Sequence, residues 1–511
     1  METIKVKDEL FLNKQINKIQ SYIFEHKIPI ITAFIVALIS HMFAFTNKLV
    51  NCDDILHLFT KGTTVTSGRW GLELTSFLFP DFSMPWIYGI LSTLFITFAI
   101  CLIIDIFKIK NEIFKALLSG LIVSFPSLTG IFAYMFTSAS FSLSFFLSVL
   151  SVYLMTSGKK RNYLFAVVVL VFSVSIYQSY IAVAASLSVI FILKKLVSTD
   201  EDLLDIFKKA LNFVLILGVS LAIYYGINIL VLNVMDTELN LYAVNGLTKS
   251  KGILYNLFCA YLNFFLAFIG RFNIWVNPVN QVTNCILFVT AGLVVLSLIF
   301  KKRNPLRKIL SLVVLFLFPL SVCCIYLFVN TTSIHTLVMY SLISVYVFIF
   351  VFLELITKEK LKNIFYNIAP IMLVLCIIDN VYIANNSYLQ LKLGYENAYS
   401  YYSSVMTSVT NTPGFDSESK LALCVTNGTI EQKYDLKKHF DSDLIMGVSS
   451  DITNTHPKYE FINYYLGYDV TFASHEEITE IMKTDEYKEM PTYPYYGSIK
   501  EMDGFIVVKL N

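Results

Sequence analysis

Residues 86–107 read WIYGILSTLFITFAICLIIDIF, an apolar run that contains a single charged residue, Asp105. About 20 mainly apolar residues in a helix are enough to cross the hydrocarbon core of a bilayer. The stretch is therefore predicted to be a membrane-spanning helix. The whole 511-residue chain has the same character, since 56% of its residues are hydrophobic and 15% are charged. Soluble domains carry about 25% charged residues, so the composition predicts a helical membrane protein.

Ten further apolar runs bring the predicted number of transmembrane helices to about eleven. The stretch 163–193 is divided in two, because about 31 residues exceed one crossing and Tyr177-Gln178-Ser179-Tyr180 places polar groups in its middle. The additional predicted helices are 28–46, 113–132, 135–156, 163–176, 178–193, 209–232, 283–300, 309–328, 337–356 and 364–384.

The basic residues of the loops predict which ends of these helices face the cytoplasm. Cytoplasmic loops are enriched in Lys and Arg. With eleven helices and a cytoplasmic N-terminal segment, 1–27, all the basic clusters fall on the cytoplasmic side. These clusters are Lys108/Lys110/Lys115, Lys159/Lys160/Arg161, Lys194/Lys195, Lys301/Lys302/Arg303 and Lys358/Lys360/Lys362. A single helix over 163–193 would move the later clusters to the opposite side, which supports its division.

Two segments of the predicted transmembrane domain, 28–384, then lie on the outer face. The first outer loop is 47–85, and a second outer region is 233–282. Within the second, 253–270 is apolar, but a span there would place the following basic cluster outside. We therefore expect a re-entrant or interfacial helix at 253–270.

Residues 385–511 have the charged surface expected of a soluble module and contain no predicted span. Strands are predicted at Leu421–Thr426 and Phe505–Leu510, and a helix at His475–Met490. The helix count places this small α/β domain outside the membrane, on the extracytoplasmic side.

The first outer loop begins with a pair of carboxylates in residues 51–54, NCDD. Charges this close to a hydrocarbon span are costly unless they face water, pair or take part in chemistry. Adjacent residues do not share a face of a helix or strand, so Asp53 and Asp54 are expected to have different roles. One would act as a base, and the other would orient it, bind substrate or help hold a cation.

The same loop continues with residues 67–70, SGRW. Arg69 offers a planar fork for phosphate oxygens, and Trp70 offers a ring suited to the membrane interface. A ligand whose phosphate lies at the surface while its tail lies in lipid fits this arrangement. The structural alternative is that Asp53 and Asp54 cap the next helix and that Arg69 neutralises them.

The acidic pair after the first helix, SGRW before the second, and Tyr177-Gln178 resemble the Gtr-type membrane glucosyltransferases. These enzymes modify bacterial O-antigen and related surface polysaccharides and belong to the GT-C fold class. The C-terminal sequences 495–499, YYGSI, and 504–510, GFIVVKL, are also similar to the end of family members. The resemblance spans most of the chain. It implies a polyprenyl-phosphate hexose donor, a glycan acceptor on the outer face of the bacterial cytoplasmic membrane, and a catalytic acid in the first outer loop.

The expected mechanism is a direct displacement with inversion at the sugar. Asp53 or Asp54 deprotonates an acceptor hydroxyl, which attacks the anomeric carbon, and Arg69 stabilises the departing polyprenyl phosphate. This route requires no cofactor. Two carboxylates and a phosphate also supply hard oxygen ligands, so a divalent ion, Mg or Mn, held by Asp53 and Asp54 is admitted without being demanded.

Five further residues are candidates, each with a simpler alternative. Arg271 is a candidate second phosphate contact or a snorkelling interfacial arginine. Tyr177 and Gln178 are candidates for hydrogen bonds to sugar hydroxyls or form a polar helix turn. Glu73 is expected to assist the aspartates or to pair with Arg69. His335 is a candidate for lining the acceptor entrance or is an ordinary loop histidine.

Two other functional classes stay open from the sequence. A transporter or flippase of lipid-linked sugars should show mid-span ionisable residues or paired broken helices, and neither is evident. A non-catalytic envelope assembly protein would tolerate loss of both aspartates.

The chain has no Walker motif or zinc signature, and its net charge of +2 gives no support for nucleic-acid binding. The expected partners are therefore the lipid-linked donor, the glycan acceptor and the bilayer, with a donor-synthesising glycosyltransferase and a flippase as further candidates.

Overall fold

The computed structural model describes residues 2–58, 64–80, 82–240, 252–269, 278–327, 336–356, 359–416, 418–425, 445, 447–449 and 457–510. Within these ranges, ten helices are long and apolar enough to cross a membrane. They are Lys27–Thr46, Pro85–Phe107, Glu112–Ala133, Met135–Thr156, Gln178–Ser198, Leu203–Val234, Gln281–Lys301, Pro305–Val322, Thr336–Leu353 and Asn367–Thr410. The prediction of a polytopic helical membrane protein is confirmed.

The described helices and strands are numbered here in chain order. The first helices are α1 Glu2–Glu25, α2 Lys27–Thr46, α3 Cys52–Leu56, α4 Trp70–Thr75, α5 Pro85–Phe107, α6 Glu112–Ser124, α7 Pro126–Ala133, α8 Met135–Thr156, α9 Lys160–Ile176 and α10 Ile181–Ser198. The later helices are α11 Leu203–Val234, α12 Ile253–Ile269, α13 Pro278–Lys301, α14 Pro305–Val322, α15 Ile343–Leu353, α16 Glu359–Thr410, α17 Lys458–Glu460, α18 His475–Lys483 and α19 Asp485–Glu489. The strands are β1 Lys420–Cys424, β2 Thr471–Phe472, β3 Ile499–Met502 and β4 Phe505–Lys509.

The predicted span that is absent from these ten long helices, 163–176, corresponds to α9, which has 17 residues. It forms an antiparallel hairpin with α8, in which the hydroxyls of Ser144 and Ser173 each donate to the other residue's carbonyl at 2.7 Å. Seventeen helical residues extend about 25 Å, close to the thickness of the hydrocarbon core. Helix α9 ends before the extended residue Tyr177, and a 3₁₀ turn, Gln178–Tyr180, precedes α10. The predicted division of 163–193 is confirmed.

The predicted apolar segment 253–270 is the helix α12 in the described part of the chain. Its 17 residues make it shorter than the ten long helices. Asn256 donates to the Leu327 carbonyl at 3.2 Å, and the Tyr261 hydroxyl donates to the Phe316 carbonyl at 2.7 Å. The helix thus packs against the end of α14 and the turn that follows it. Its re-entrant or interfacial placement stays a prediction.

A proline break inside the bundle shows how buried polar groups are satisfied. Pro126 ends α6 and begins α7, because proline cannot donate the backbone hydrogen bond that would continue the helix. The Val123 carbonyl, in the last turn of α6, accepts from Nε2 of the fully buried His41 at 2.8 Å. Nδ1 of the same ring then accepts from the Tyr388 hydroxyl at 2.7 Å. His41 is therefore a structural residue that joins α2, α6 and α16.

The C-terminal part of the chain folds as a four-stranded sheet with helices on both faces. The strand order is β2-β1-β4-β3, and only β3 and β4 pair antiparallel. Alternate side chains of β1 face opposite layers, as the pleat requires: Leu421 and Leu423 pack toward α16, whereas Ala422 and Cys424 pack toward α18. Both predicted strands are confirmed. The predicted helix at 475–490 is two helices, α18 and α19, because Thr484 is extended between them.

Helix α16 connects the bundle to this sheet without interruption. It has 52 residues, so it is about 78 Å long and extends far beyond one bilayer crossing. Its last turns, including Tyr402 and Val409, form the core under the sheet. The predicted domain boundary at residue 385 therefore lies inside a continuous helix.

The sheet packs at one end of the bundle, which we call the Asp53 end. This end is defined by α3, the 3₁₀ turn Val65–Ser67, Tyr134 and Tyr177. Val50 and Ile55, which flank the acidic pair, are buried in the same cluster as β1 and β4. The C-terminal part of the chain therefore lies directly against the first loop.

Candidate active site

Helix α3 carries both aspartates of the NCDD stretch, and Asn51 caps it. The Asn51 side chain accepts from the Asp54 backbone N–H at 2.8 Å and donates to the Ala133 carbonyl at 2.7 Å. An asparagine in this position satisfies a backbone donor that a helix start leaves unpaired. The alternative in which the aspartates cap this helix is therefore not observed, because Asn51 occupies the cap position. Asp53 and Asp54 instead occupy the first turn, where the helix dipole favours negative charge.

Asp54 is buried, with 3% of its surface exposed. The Ser83 hydroxyl donates to its Oδ1, and the Lys48 ammonium lies 3.8 Å from its Oδ2. The Tyr465 hydroxyl, from the C-terminal domain, lies beside the same carboxyl group. Burial raises the pKa of Asp54, and Lys48, Ser83 and Tyr465 partly offset this increase. Asp54 thus joins the first loop to the C-terminal domain.

Asp53 faces a different set of neighbours and is exposed to solvent. The protein atoms around it still desolvate the carboxyl group enough to raise its pKa, while the charges of His57 and Arg69 lower it. Tyr134 lies on the other side: burial raises the pKa of its hydroxyl, and the charge of Asp53 raises it further. Asp53 is therefore an accessible carboxylate with an elevated pKa, the property expected of a general base.

Arg69 is held beside Asp53 by stacking. Its guanidinium lies 5.0 Å from the centre of the Tyr177 ring, and that ring stacks on Phe141 at 4.4 Å. Its Nε is buried and has no hydrogen-bond partner. In the part of the chain that the structure describes, no carboxylate lies within ion-pair distance of this guanidinium. The expected direct neutralisation by an aspartate or Glu73 is therefore not observed, and the fork stays open to an anion.

The turn before Arg69 depends on Gly68. This residue has φ +72°, a left-handed conformation that glycine adopts without strain. A Cβ atom there would lie 2.9 Å from the Tyr224 hydroxyl and 3.0 Å from Nε2 of Gln178. The Tyr224 hydroxyl donates to the Gly68 carbonyl at 2.8 Å, and Gln178 Nε2 donates to the Ser67 carbonyl at 3.0 Å. The close packing therefore presents Arg69 in one orientation.

This geometry favours a positioning role for two residues expected to bind sugar. Tyr177 is 4% exposed, and the Arg69 guanidinium packs on the face of its ring. The Gln178 amide is directed at the Ser67 carbonyl and the Tyr224 hydroxyl. Tyr177 contacts the guanidinium of Arg69, and Gln178 is hydrogen-bonded to the backbone of the turn that precedes it. Both residues therefore help to position Arg69.

Trp70 and Glu73 line a groove on the neighbouring face of α4. The groove has a volume of about 480 Å³ and is otherwise apolar. The Thr64 hydroxyl donates to Glu73 Oε2 at 3.0 Å, so this carboxylate is held at the start of the 3₁₀ turn. Arg271 and His335 lie outside the described residues.

The acidic pair is also the place where the sequence admits a divalent ion. They contain no group of three or more His, Cys, Asp or Glu side chains placed to hold a metal. The neighbours of Asp54 are Lys48, Ser83 and Tyr465, whereas Asp53 lies near His57 and Arg69. The described residues thus contain no preformed metal centre at the two carboxylates, and a divalent ion held by Asp53 and Asp54 stays a prediction.

Several residues of the candidate site had no signal in the sequence. Tyr134, Tyr224 and Tyr465 come from three distant segments, and nothing in their local sequence relates them to the acidic pair or to Arg69. His57 has a weak signal, since it follows Asp53 by four residues and would share its helix face. The functional arrangement therefore emerges only when these segments pack together.

Comparison with known proteins agrees with this picture. A family description, Glucosyl transferase GtrII, matches residues 42–348, which include α3, the SGRW turn, Tyr134, Tyr177 and Tyr224. Neither the curated proteins nor the solved structures contain a match to this chain. The family match covers more than half of the sequence and all of the candidate site except its contact with the C-terminal domain. The chain therefore belongs to the GtrII glucosyl transferase family.

Proposed function

We propose that this membrane glycosyltransferase moves glucose from a polyprenyl-phosphate donor to a surface glycan on the outer face of the bacterial cytoplasmic membrane. One observation carries the proposal: an accessible aspartate of raised pKa, Asp53, lies beside an arginine, Arg69, that has no carboxylate partner among the described residues. The pair supplies a base for an acceptor and a cation for a phosphate leaving group. Both lie at the end of the bundle where loops with few basic residues meet the C-terminal domain.

The reaction is a single displacement. Asp53 takes the proton of an acceptor hydroxyl as its oxygen attacks the anomeric carbon of the donor. The bond from that carbon to the phosphate oxygen breaks, and its electron pair leaves with polyprenyl phosphate. Arg69 stabilises the charge that grows on this oxygen, which is the interaction that accelerates the step. Attack opposite the leaving group inverts the anomeric centre.

Asp54 has a positioning role in this mechanism. Its carboxyl group is buried among Ser83, Lys48 and Tyr465, where an acceptor sugar has no access. It fixes α3 against the C-terminal domain, which would present the acceptor to Asp53. A donor-synthesising glycosyltransferase and a flippase would supply the lipid-linked sugar at this face.

Reconstitution in liposomes tests the proposal. Wild-type protein supplied with polyprenyl-phosphate glucose and an envelope glycan should transfer glucose. Asp53→Asn should lower kcat by about 10²–10⁴, the range for loss of a general base. Asp416→Asn, which removes an exposed carboxylate of the C-terminal domain, is the matched control. Full activity of Asp53→Asn would exclude this mechanism, and movement of the lipid-linked sugar across the bilayer without transfer would favour the transporter.

A further inference from the structure

An apolar groove lies between α4 and the last turns of α11. Eight of its nine lining residues are apolar, and Glu73 is the exception. The lining residues are Val65, Trp70, Glu73, Leu74, Ile227, Leu230, Val231, Val234 and Met235. Its volume of about 480 Å³ lies within the range of about 300–1,000 Å³ typical of small-ligand sites.

The groove opens at the outer surface of the helix bundle. Leu230 is 63% exposed and Val234 is 85% exposed, so the last two turns of α11 present hydrocarbon outward. With 32 residues, α11 is about 48 Å long and exceeds the hydrocarbon core of about 30 Å. Its final turns therefore reach the level where lipid chains meet head groups. An amphiphile that enters from the membrane would meet the groove at this level.

The groove is continuous with the Arg69 turn. Trp70 follows Arg69 directly, and Val65 begins the same turn. On α11, the Tyr224 hydroxyl donates to the Gly68 carbonyl, while the adjacent row of Ile227, Val231 and Val234 lines the groove. One helix thus contacts the Arg69 turn through Tyr224 and lines the groove with its apolar row.

We propose that this groove binds the first isoprene units of the lipid donor, next to a phosphate held by Arg69. The inference rests on the proposed donor and adds the location of its tail. The groove matches the donor in two respects: its apolar lining suits an unsaturated hydrocarbon chain, and its end adjoins Arg69, a cation without a carboxylate partner in the described part of the chain. An acyl chain of an ordinary phospholipid shares the first property, so the experiment must separate the two lipids.

Photocrosslinking tests the location directly. Reconstituted protein is irradiated with a prenyl phosphate that carries a diazirine on its second isoprene unit. Label is expected within 227–235 and 65–74, and excess polyprenyl phosphate should compete for it while phosphatidylglycerol should not. Label elsewhere, or equal competition by phosphatidylglycerol, would overturn the proposal.

Filling the groove gives an independent kinetic readout. Val231→Trp should raise KM for the polyprenyl-phosphate donor by about tenfold, equivalent to about 1.4 kcal/mol, with kcat little changed. Val219→Trp is the control, because Val219 is an exposed valine of the same helix outside the groove. Equal KM values in the two variants would contradict the proposal. If the wild-type protein transfers no glucose, the proposed function fails, whereas the crosslink still reports whether the groove binds prenyl phosphate.

Discussion

At Asp53 two opposing effects act on one carboxyl group. Desolvation by the surrounding protein raises its pKa, whereas His57 and Arg69 lower it. A base must be ionised to work, so transfer should be lost as the pH falls through this raised pKa. The same shift opposes folding of the ionised form, so this group's contribution to stability is complete below the ordinary pKa of an aspartate and decreases above it.

Replacement of Arg69 should therefore change the pH profile as well as the rate. Arg69→Gln removes a charge that lowers the pKa of Asp53, so the acidic limb of kcat/KM should move to higher pH. Arg69→Lys keeps the charge and should leave the limb near its wild-type position, although it loses the planar fork for phosphate. The pH profiles of the three proteins provide the measurement. An unshifted limb in Arg69→Gln would show that Asp53 is not the titrating base.

Gly68 provides a second test at the level of single residues. Gly68→Ala meets both a left-handed φ and close contacts with Tyr224 and Gln178. Gly158 has nearly the same φ, +71°, with nothing within 4 Å of an added Cβ atom, so Gly158→Ala isolates the backbone strain. That strain costs roughly 1–2 kcal/mol in each variant. We expect only Gly68→Ala to lose activity, by about tenfold or more, because Arg69 is displaced. Equal transfer rates in the two variants would show that the turn does not position Arg69.

At the scale of elements, α3 is a five-residue helix that depends on its cap. Asn51→Ala removes one bond to the Asp54 N–H and one to the Ala133 carbonyl, and an N-cap loss alone costs about 1 kcal/mol. Asn111 caps α6 in the same manner, through the Phe114 N–H at 3.0 Å. Both variants should lower thermal stability, but only Asn51→Ala should lower kcat, since only α3 carries Asp53. Stability by thermal unfolding and kcat in liposomes give the comparison, and equal kcat values would contradict it.

The helices themselves could be predicted from sequence because hydropathy and loop charge act over short stretches. The break at Tyr177–Tyr180 is one example, where polar residues and the distribution of lysines both indicated a turn. The extent of α16 could not be predicted in this way. Its last turns alternate polar and apolar residues because they leave the membrane and support a sheet, so hydropathy ends where the helix continues.

At the scale of the molecule, the candidate site is an assembly of distant segments. Asp53, Asp54 and Arg69 were recognisable because acidic and basic groups near a membrane span are unusual. The partners of these residues were not, since Tyr465 lies more than 400 residues after Asp54 and nothing in its local sequence relates it to that carboxylate. The polarity of Gln178 predicted a sugar contact or a polar helix turn, and its long-range hydrogen bond to the Ser67 carbonyl could not be predicted in the same way. Contacts between distant segments determine the roles of such residues, and local patterns in a single sequence do not predict these contacts.

The path of the chain through the bilayer predicts on which side of the membrane each loop and the C-terminal domain lie. Tyr134 and Tyr177 lie at the Asp53 end, so the hairpin of α8 and α9 must carry residues 157–159 to the opposite end. Helix α9 therefore counts as a crossing despite its 17 residues, so the described residues provide eleven predicted crossings, and an odd number predicts termini on opposite sides. Alkaline phosphatase fused after residue 511 should then be active, and the same enzyme fused after Thr199 should be inactive. A fluorescent protein that folds only in the cytoplasm should show the reverse pattern at the two positions. An inactive phosphatase after residue 511 would mean an even number of crossings and would place the C-terminal domain and Asp53 on the cytoplasmic side, where a surface glycan is absent.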